Sequence, residues 1–97
     1  MVSINLNNYA PLITRKETGN EIYSMISDKL KCNEVVEINM EKIVSMTTFC
    51  AKQIFGRLYV ELGREEYRKR VLLVNLSEDV KFIIRIGITN AVKESTC

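Results

Sequence analysis

Apolar side chains recur at two different periods along this chain, and the two periods alternate. Val2, Ile4 and Leu6 alternate with Ser3, Asn5 and Asn7, the period-two pattern of a strand with one buried face. Asn7-Asn8 and Pro11 break that run, and Leu12-Ile13-Thr14 reads as a short second strand. Thr18 followed by Glu21 has the form of a capping box, and Ile22, Met25, Ile26 and Leu30 continue at helical spacing, predicting a helix over Gly19–Lys31 that Cys32-Asn33 ends. From Glu34 to Met40, Val36, Ile38 and Met40 share one side of a predicted strand. Ala51, Ile54, Phe55, Leu58 and Leu62 then mark a second amphipathic helix that begins at Thr48 and that Gly63 stops in a left-handed conformation. Gly56 inside it implies close packing, expected here against the sheet.

Arg64–Arg70 reads as a polar connection, and Val71–Val74, apolar on both faces, as a central strand. Ser77 caps a third helix with Glu78 and Asp79 in its first turn and Val80, Ile83, Ile84, Gly87, Ile88 and Ala91 as its core stripe. Helices separating strands imply parallel pairing through right-handed crossovers, with the N-terminal strand free to run the other way. The expected fold class is α/β: a central mixed sheet of about four strands with three helices mainly on one face, forming one domain over residues 1–97.

Composition narrows the chemistry. With 97 residues and 46% apolar content the chain can fold around one core without staples. It contains no long apolar run and no export signal, so a cytoplasmic protein without membrane contact is the expectation. Cys32, Cys50 and Cys97 are odd in number and widely spaced, the pattern of free thiols in a reducing compartment. The absence of histidine removes a phosphocarrier histidine, the Ser-His-Asp and Cys-His nucleophile pairs and the commonest zinc ligand. No cofactor, no metal and no enzymatic activity are expected. A formal charge of +2 supplies no strong field for nucleic acid.

Few side chains stand out as functional. Thr47 and Thr48 lie where a strand-like run gives way to a helix, and each is either the helix N-cap or a candidate phosphoacceptor. Phe82 and Ile86, four apart, fall opposite the core stripe of the third helix, pointing to an intramolecular neighbour or to a protein interface, of which a homodimer is the simplest. Arg57, Arg64, Arg68, Lys69 and Arg70, with Tyr59 and Tyr67 interleaved, form a basic segment that Glu61, Glu65 and Glu66 dilute. It carries the alternative reading, a nucleic-acid-associated or inhibitory module. Cys50 reads as a packed, inert thiol, and Glu34, Glu37 and Glu41 make no acid–base pair.

A further set of residues resembles a known family. These are Thr14-Arg15 and Gly19 before the first helix, Val35-Val36-Glu37-Ile38, Thr48-Phe49, Phe55-Gly56-Arg57-Leu58, Gly63, Tyr67, Val74-Asn75, Ser77 and Val80-Lys81. In order and spacing, from about Leu12 to Val92, they resemble the STAS-like family of short bacterial and phage proteins of unassigned function, and more distantly the STAS fold of anti-sigma-factor antagonists. In the antagonists the corresponding helix start carries Asp-Ser-x-Gly, whose serine is phosphorylated by a partner of the histidine-kinase-like ATPase fold that is also an anti-sigma factor. Here Met46 stands for the aspartate and Phe49 for the glycine. The resemblance therefore implies a non-enzymatic regulatory domain that binds an ATPase or anti-sigma-type protein, with Thr47 or Thr48 at the switch position. A contact surface made of Ser45, Phe49, Lys52 and Gln53, extended by Phe82 and Ile86, goes with it.

Overall fold

A computed structural model describes residues 1–95, so Cys97 lies outside the described residues. Strands β1 (Val2–Asn5), β3 (Val36–Asn39) and β5 (Val71–Val74) form a three-stranded sheet in the order β1-β3-β5, and β2 (Leu12–Ile13) pairs with β4 (Ser45–Met46) in a separate two-stranded ladder. Every pair is parallel. The expected mixed sheet is thus corrected to two small parallel ones, and β1 does not run against its neighbour. The reason lies in the connections: a helix, α1 (Lys16–Cys32), separates β1 from β3, and a crossover of this length returns the chain in the same direction.

Register fixes which face is dry. Val2, Val36 and Val71 align, as do Ile4, Ile38 and Leu73, and Ile4, Val36, Ile38 and Val71 are buried. The opposite face carries Ser3, Glu37 and Leu72 in one row, with the Ser3 hydroxyl 3.3 Å from the Glu37 carboxylate and Leu72 exposed. Helices therefore cover one face and leave the other open. β5 is an edge strand, not the central one its apolar run suggested; β3 is central.

The capping box does not form. α1 begins at Lys16, and its N-cap, Arg15, makes no side-chain capping bond, which leaves Thr18 inside the first turn. Its C-terminus is as expected, with Asn33 as C-cap, and buried Ile22, Ile26 and Leu30 give it the anticipated core face. Ser77 does cap the last helix, accepting from the Val80 amide at 3.2 Å.

The second helix, α2, runs continuously over residues 48–62: an α-turn at Thr48–Ala51, a π-helical segment at Lys52–Gly56, and α-helix again at Arg57–Leu62. A π-turn rotates less per residue than an α-turn, so consecutive side chains spread over a narrower arc. That is how Ile54, Phe55 and Gly56 are all buried together. Gly63 follows at φ 86° and ψ 159°, a region open essentially to glycine, and turns the chain directly into a further helix beyond the three expected, α3 (Arg64–Arg70). The expected polar connection is therefore helical. Glu65 and Glu66 in its first turn and Arg68, Lys69 and Arg70 in its last match the helix dipole at both ends.

α4 (Glu78–Ser95) packs most extensively on α2. The backbones nearly touch there. A Cβ on Gly87 would lie 2.6 Å from the Lys52 amide nitrogen, and one on Gly56 would lie 2.7 Å from the Ala91 Cβ and 2.9 Å from the Gly87 carbonyl oxygen. Gly56 is thus spent on α4, not on the sheet. Gly87→Ala should lower stability by about 2 kcal/mol, because overpacking against backbone outweighs the roughly 1 kcal/mol that alanine gains over glycine in a helix. Thermal unfolding should show the midpoint falling by about 10 °C; a rise would contradict the contact.

Candidate functional site

The start of α2 is built from its cap upward. Thr47 is extended at φ −74° and ψ 153°, and its hydroxyl oxygen accepts from the Cys50 amide at 3.1 Å. Its own amide donates to the Ile13 carbonyl at 3.0 Å, so the β2–β4 ladder holds the helix start in place. Thr47 is therefore the N-cap, and Thr48, one residue on, is exposed. Cys50 is fully buried with its sulfur 3.5 Å from the Arg15 carbonyl oxygen, the packed thiol the sequence implies.

Phe49 projects from this helix start with 57% of its surface exposed. It stands at one end of a groove of about 570 Å³, with Val60 and Ala91 supplying further apolar lining. Two ion pairs stand beside the groove. The Lys52 ammonium meets the Glu94 carboxylate, and the Arg57 guanidinium lies 3.5 Å from that of Glu61. Glu61 also accepts from the Tyr23 hydroxyl, and the Arg57 guanidinium sits 4.1 Å over the Tyr23 ring. Burial pushes the Tyr23 phenol up, the bond to Glu61 and its charge push it further, and Arg57 and a bond to Ser27 oppose them. Such a surface, apolar along its length and charged at its sides, suits a partner helix or loop better than a reacting substrate. Among the described residues no group of three or more His, Cys, Asp or Glu side chains is placed to hold a metal ion.

The sequence-derived site residues divide. Phe49, Lys52 and Gln53 come together at the groove. Gln53 also ties α2 to α1, donating from Nε2 to the Lys16 carbonyl at 3.0 Å and to the Asn20 side chain at 2.8 Å, while its Oε1 is buried without a partner. Ser45 sits half-buried in the β2–β4 ladder. Phe82 lies elsewhere on α4, 61% exposed beside a small recess that it shares with Glu78, Lys81 and Arg85, and Ile86 is half-buried. Of the basic segment, Arg64, Arg68 and Lys69 are exposed on α3. Arg70 is held: its guanidinium donates to the carbonyls of Leu30 at 2.6 Å, Asn33 at 3.2 Å and Glu34 at 3.0 Å, tying α3 to the C-terminal end of α1. Sequence reasoning missed Val60, Glu61 and Glu94. Phe49 and Val60, eleven residues or about three helical turns apart, were the legible sign of a second stripe on α2.

Tyr67 is the buried member of α3. Its ring meets that of Tyr59 edge-on, 5.2 Å between centroids, and its hydroxyl is buried with no partner. Burial pushes the Tyr67 phenol well up, and Tyr59 adds to the shift. The folded phenol thus holds its proton more tightly than an unfolded one, whose ordinary value is 10.0. Its titration leaves stability unchanged below that pH and lowers it as pH rises above, an alkaline loss to which Tyr23 and Tyr9, both shifted upward, contribute in the same direction. Tyr67→Phe should raise stability by about 1 kcal/mol by removing an unpaired buried hydroxyl, and should flatten the alkaline decline. Urea unfolding of both proteins at about pH 8 and about pH 11 checks this; a destabilised variant would show that the hydroxyl is paired. Thr47→Ala should cost about 1 kcal/mol as the lost cap and Thr48→Ala much less, by the same assay.

No curated protein and no solved structure matches the chain. Among the described residues no helix is long and apolar enough to cross a membrane. A family model does match, over residues 18–81, from the first turn of α1 to the first turn of α4. That span holds α2, its cap and Tyr67, and by it the chain belongs to the family of STAS-like domains of unknown function.

Proposed function

We propose that this domain is a non-enzymatic regulator that binds a protein partner along the exposed stripe of α2, from Thr48 and Phe49 to Val60. The observation that carries the reading is Phe49, a large aromatic side chain 57% exposed at the head of an apolar groove with ion pairs beside it. Interfaces draw most of their energy from such anchors, with the charged surroundings adding specificity. The resemblance to anti-sigma-factor antagonists supports a partner of the histidine-kinase-like ATPase or anti-sigma type. The motif's serine position falls on Thr47, but the Thr47 oxygen is engaged as a cap while Thr48 is exposed, and that geometry supports Thr48 as the phosphoacceptor. A phosphate there would sit at a helix N-terminus, where negative charge is tolerated. The nucleic-acid reading is weaker, since Arg70 is spent on α1 and Glu65 and Glu66 share the helix with the remaining cations.

Capture from the native host with the wild-type chain, Phe49→Asp and Phe82→Asp tests the proposal. Wild type and Phe82→Asp should retain an ATPase or anti-sigma-type protein that Phe49→Asp loses; equal capture by all three would refute the α2 surface. Incubating the captured partner with ATP should add one phosphate mass to the wild type and to Thr47→Ala but not to Thr48→Ala. No mass gain on the wild type would remove the switch and leave binding alone.

A further inference from the structure

A second cleft, sharing no lining residue with the α2 groove, lies between α4, α3 and β5. Its volume is about 300 Å³, at the small end of ligand sites. Leu73 of β5, Leu76 of the following turn, and Ile84 and Ile88 of α4 give it apolar walls. Tyr67 supplies the α3 side, and it is the residue whose hydroxyl is buried without a partner.

Lys81 and Arg85 also line this cleft, one helical turn apart on α4 and both exposed. No carboxylate lines it with them. Glu78 shares with these two cations only the adjoining recess around Phe82, and no ion pair engages either of them among the described residues. Thr89, the remaining polar group, has its hydroxyl turned to the Arg85 carbonyl at 2.9 Å. An apolar slot with two unneutralised cations beside it is complementary to one chemistry in particular, an alkyl chain ending in a single negative charge. A neutral side chain from a protein would leave the cations unused, and a bare anion would leave the apolar walls unused.

We propose that this cleft binds a small aliphatic carboxylic acid, its tail against Leu73, Leu76, Ile84 and Ile88 and its carboxylate between Lys81 and Arg85. The site is separate from the α2 stripe, so a regulator that docks a protein through α2 would carry a metabolite-responsive second face. Titrating the full chain, labelled at isoleucine and leucine methyls, with sodium octanoate, octanol and inorganic phosphate tests it by nuclear magnetic resonance. Octanoate should shift the methyls of Leu73, Leu76, Ile84 and Ile88 saturably, with octanol about tenfold weaker and phosphate producing no methyl shifts. Lys81→Gln with Arg85→Gln should weaken octanoate about tenfold and leave octanol and the melting midpoint unchanged, since both side chains are exposed. Octanol equal to octanoate, no saturable shift at the methyls of Leu73, Leu76, Ile84 and Ile88, or octanoate affinity indifferent to the double substitution would each overturn the proposal.

Discussion

The structure depends on one close approach, the backbone of α4 at Gly87 against that of α2 at Ala51 and Lys52. Helices normally stand apart by the thickness of their side chains, and here Gly56, Gly87, Ala51 and Ala91 remove that thickness. The π-helical segment falls at the same place. By keeping Ile54, Phe55 and Gly56 on one side, it lets α2 present apolar bulk to the core and bare backbone to α4 within a single turn. What remains exposed on α2 beside this contact is the stripe from Phe49 to Val60, which Ala91 and Glu94 of α4 flank. The groove is thus a by-product of the contact: two helices set this close together leave a shallow channel where their outward side chains diverge.

A one-layer arrangement has a second consequence. Parallel sheets are usually covered on both faces, yet the row Ser3, Glu37 and Leu72 faces outward here. That face stays wet because its side chains are mostly polar, whereas the helical side must bury the core, from Ile4 to Ile84. With the sheet covered from one direction only, the four helices crowd one layer. In that layer α2 and α4 come into backbone contact, and Arg70 clamps α3 to the end of α1.

Much of this was legible in the residues. The period-two and period-3.6 runs located β1, β3, β5, α1, α2 and α4, and the caps at Thr47 and Ser77 appear in the structure as hydrogen bonds. What was misread depended on information that is not local. Val71–Val74 is apolar on both faces, which suits a central strand, but strand order is set by the crossovers and places it at an edge. Thr18 and Glu21 have capping-box spacing, yet the chain is already helical from Lys16, so the box has no free end to cap. The α3 segment is charged at six of its seven positions, and the charges masked a helix whose one buried side chain is Tyr67. Its ordering, acidic first and basic last, was a helix signal read as a diluted basic patch. At the site, Phe49 and the cap were readable, whereas Glu94 reaches the groove from a distant helix and no spacing rule joins it to Lys52.

The central claim is that α2, held in place by α4, offers its exposed stripe for recognition. Amide hydrogen exchange, measured on the chain alone and in complex with the partner captured from its host, addresses that claim most directly. Protection gained over residues 48–61 and in the last turn of α4, with the open sheet face unchanged, is the expected result. Protection gained instead on β1, β3 and β5, or on α3, would place recognition elsewhere and contradict the account.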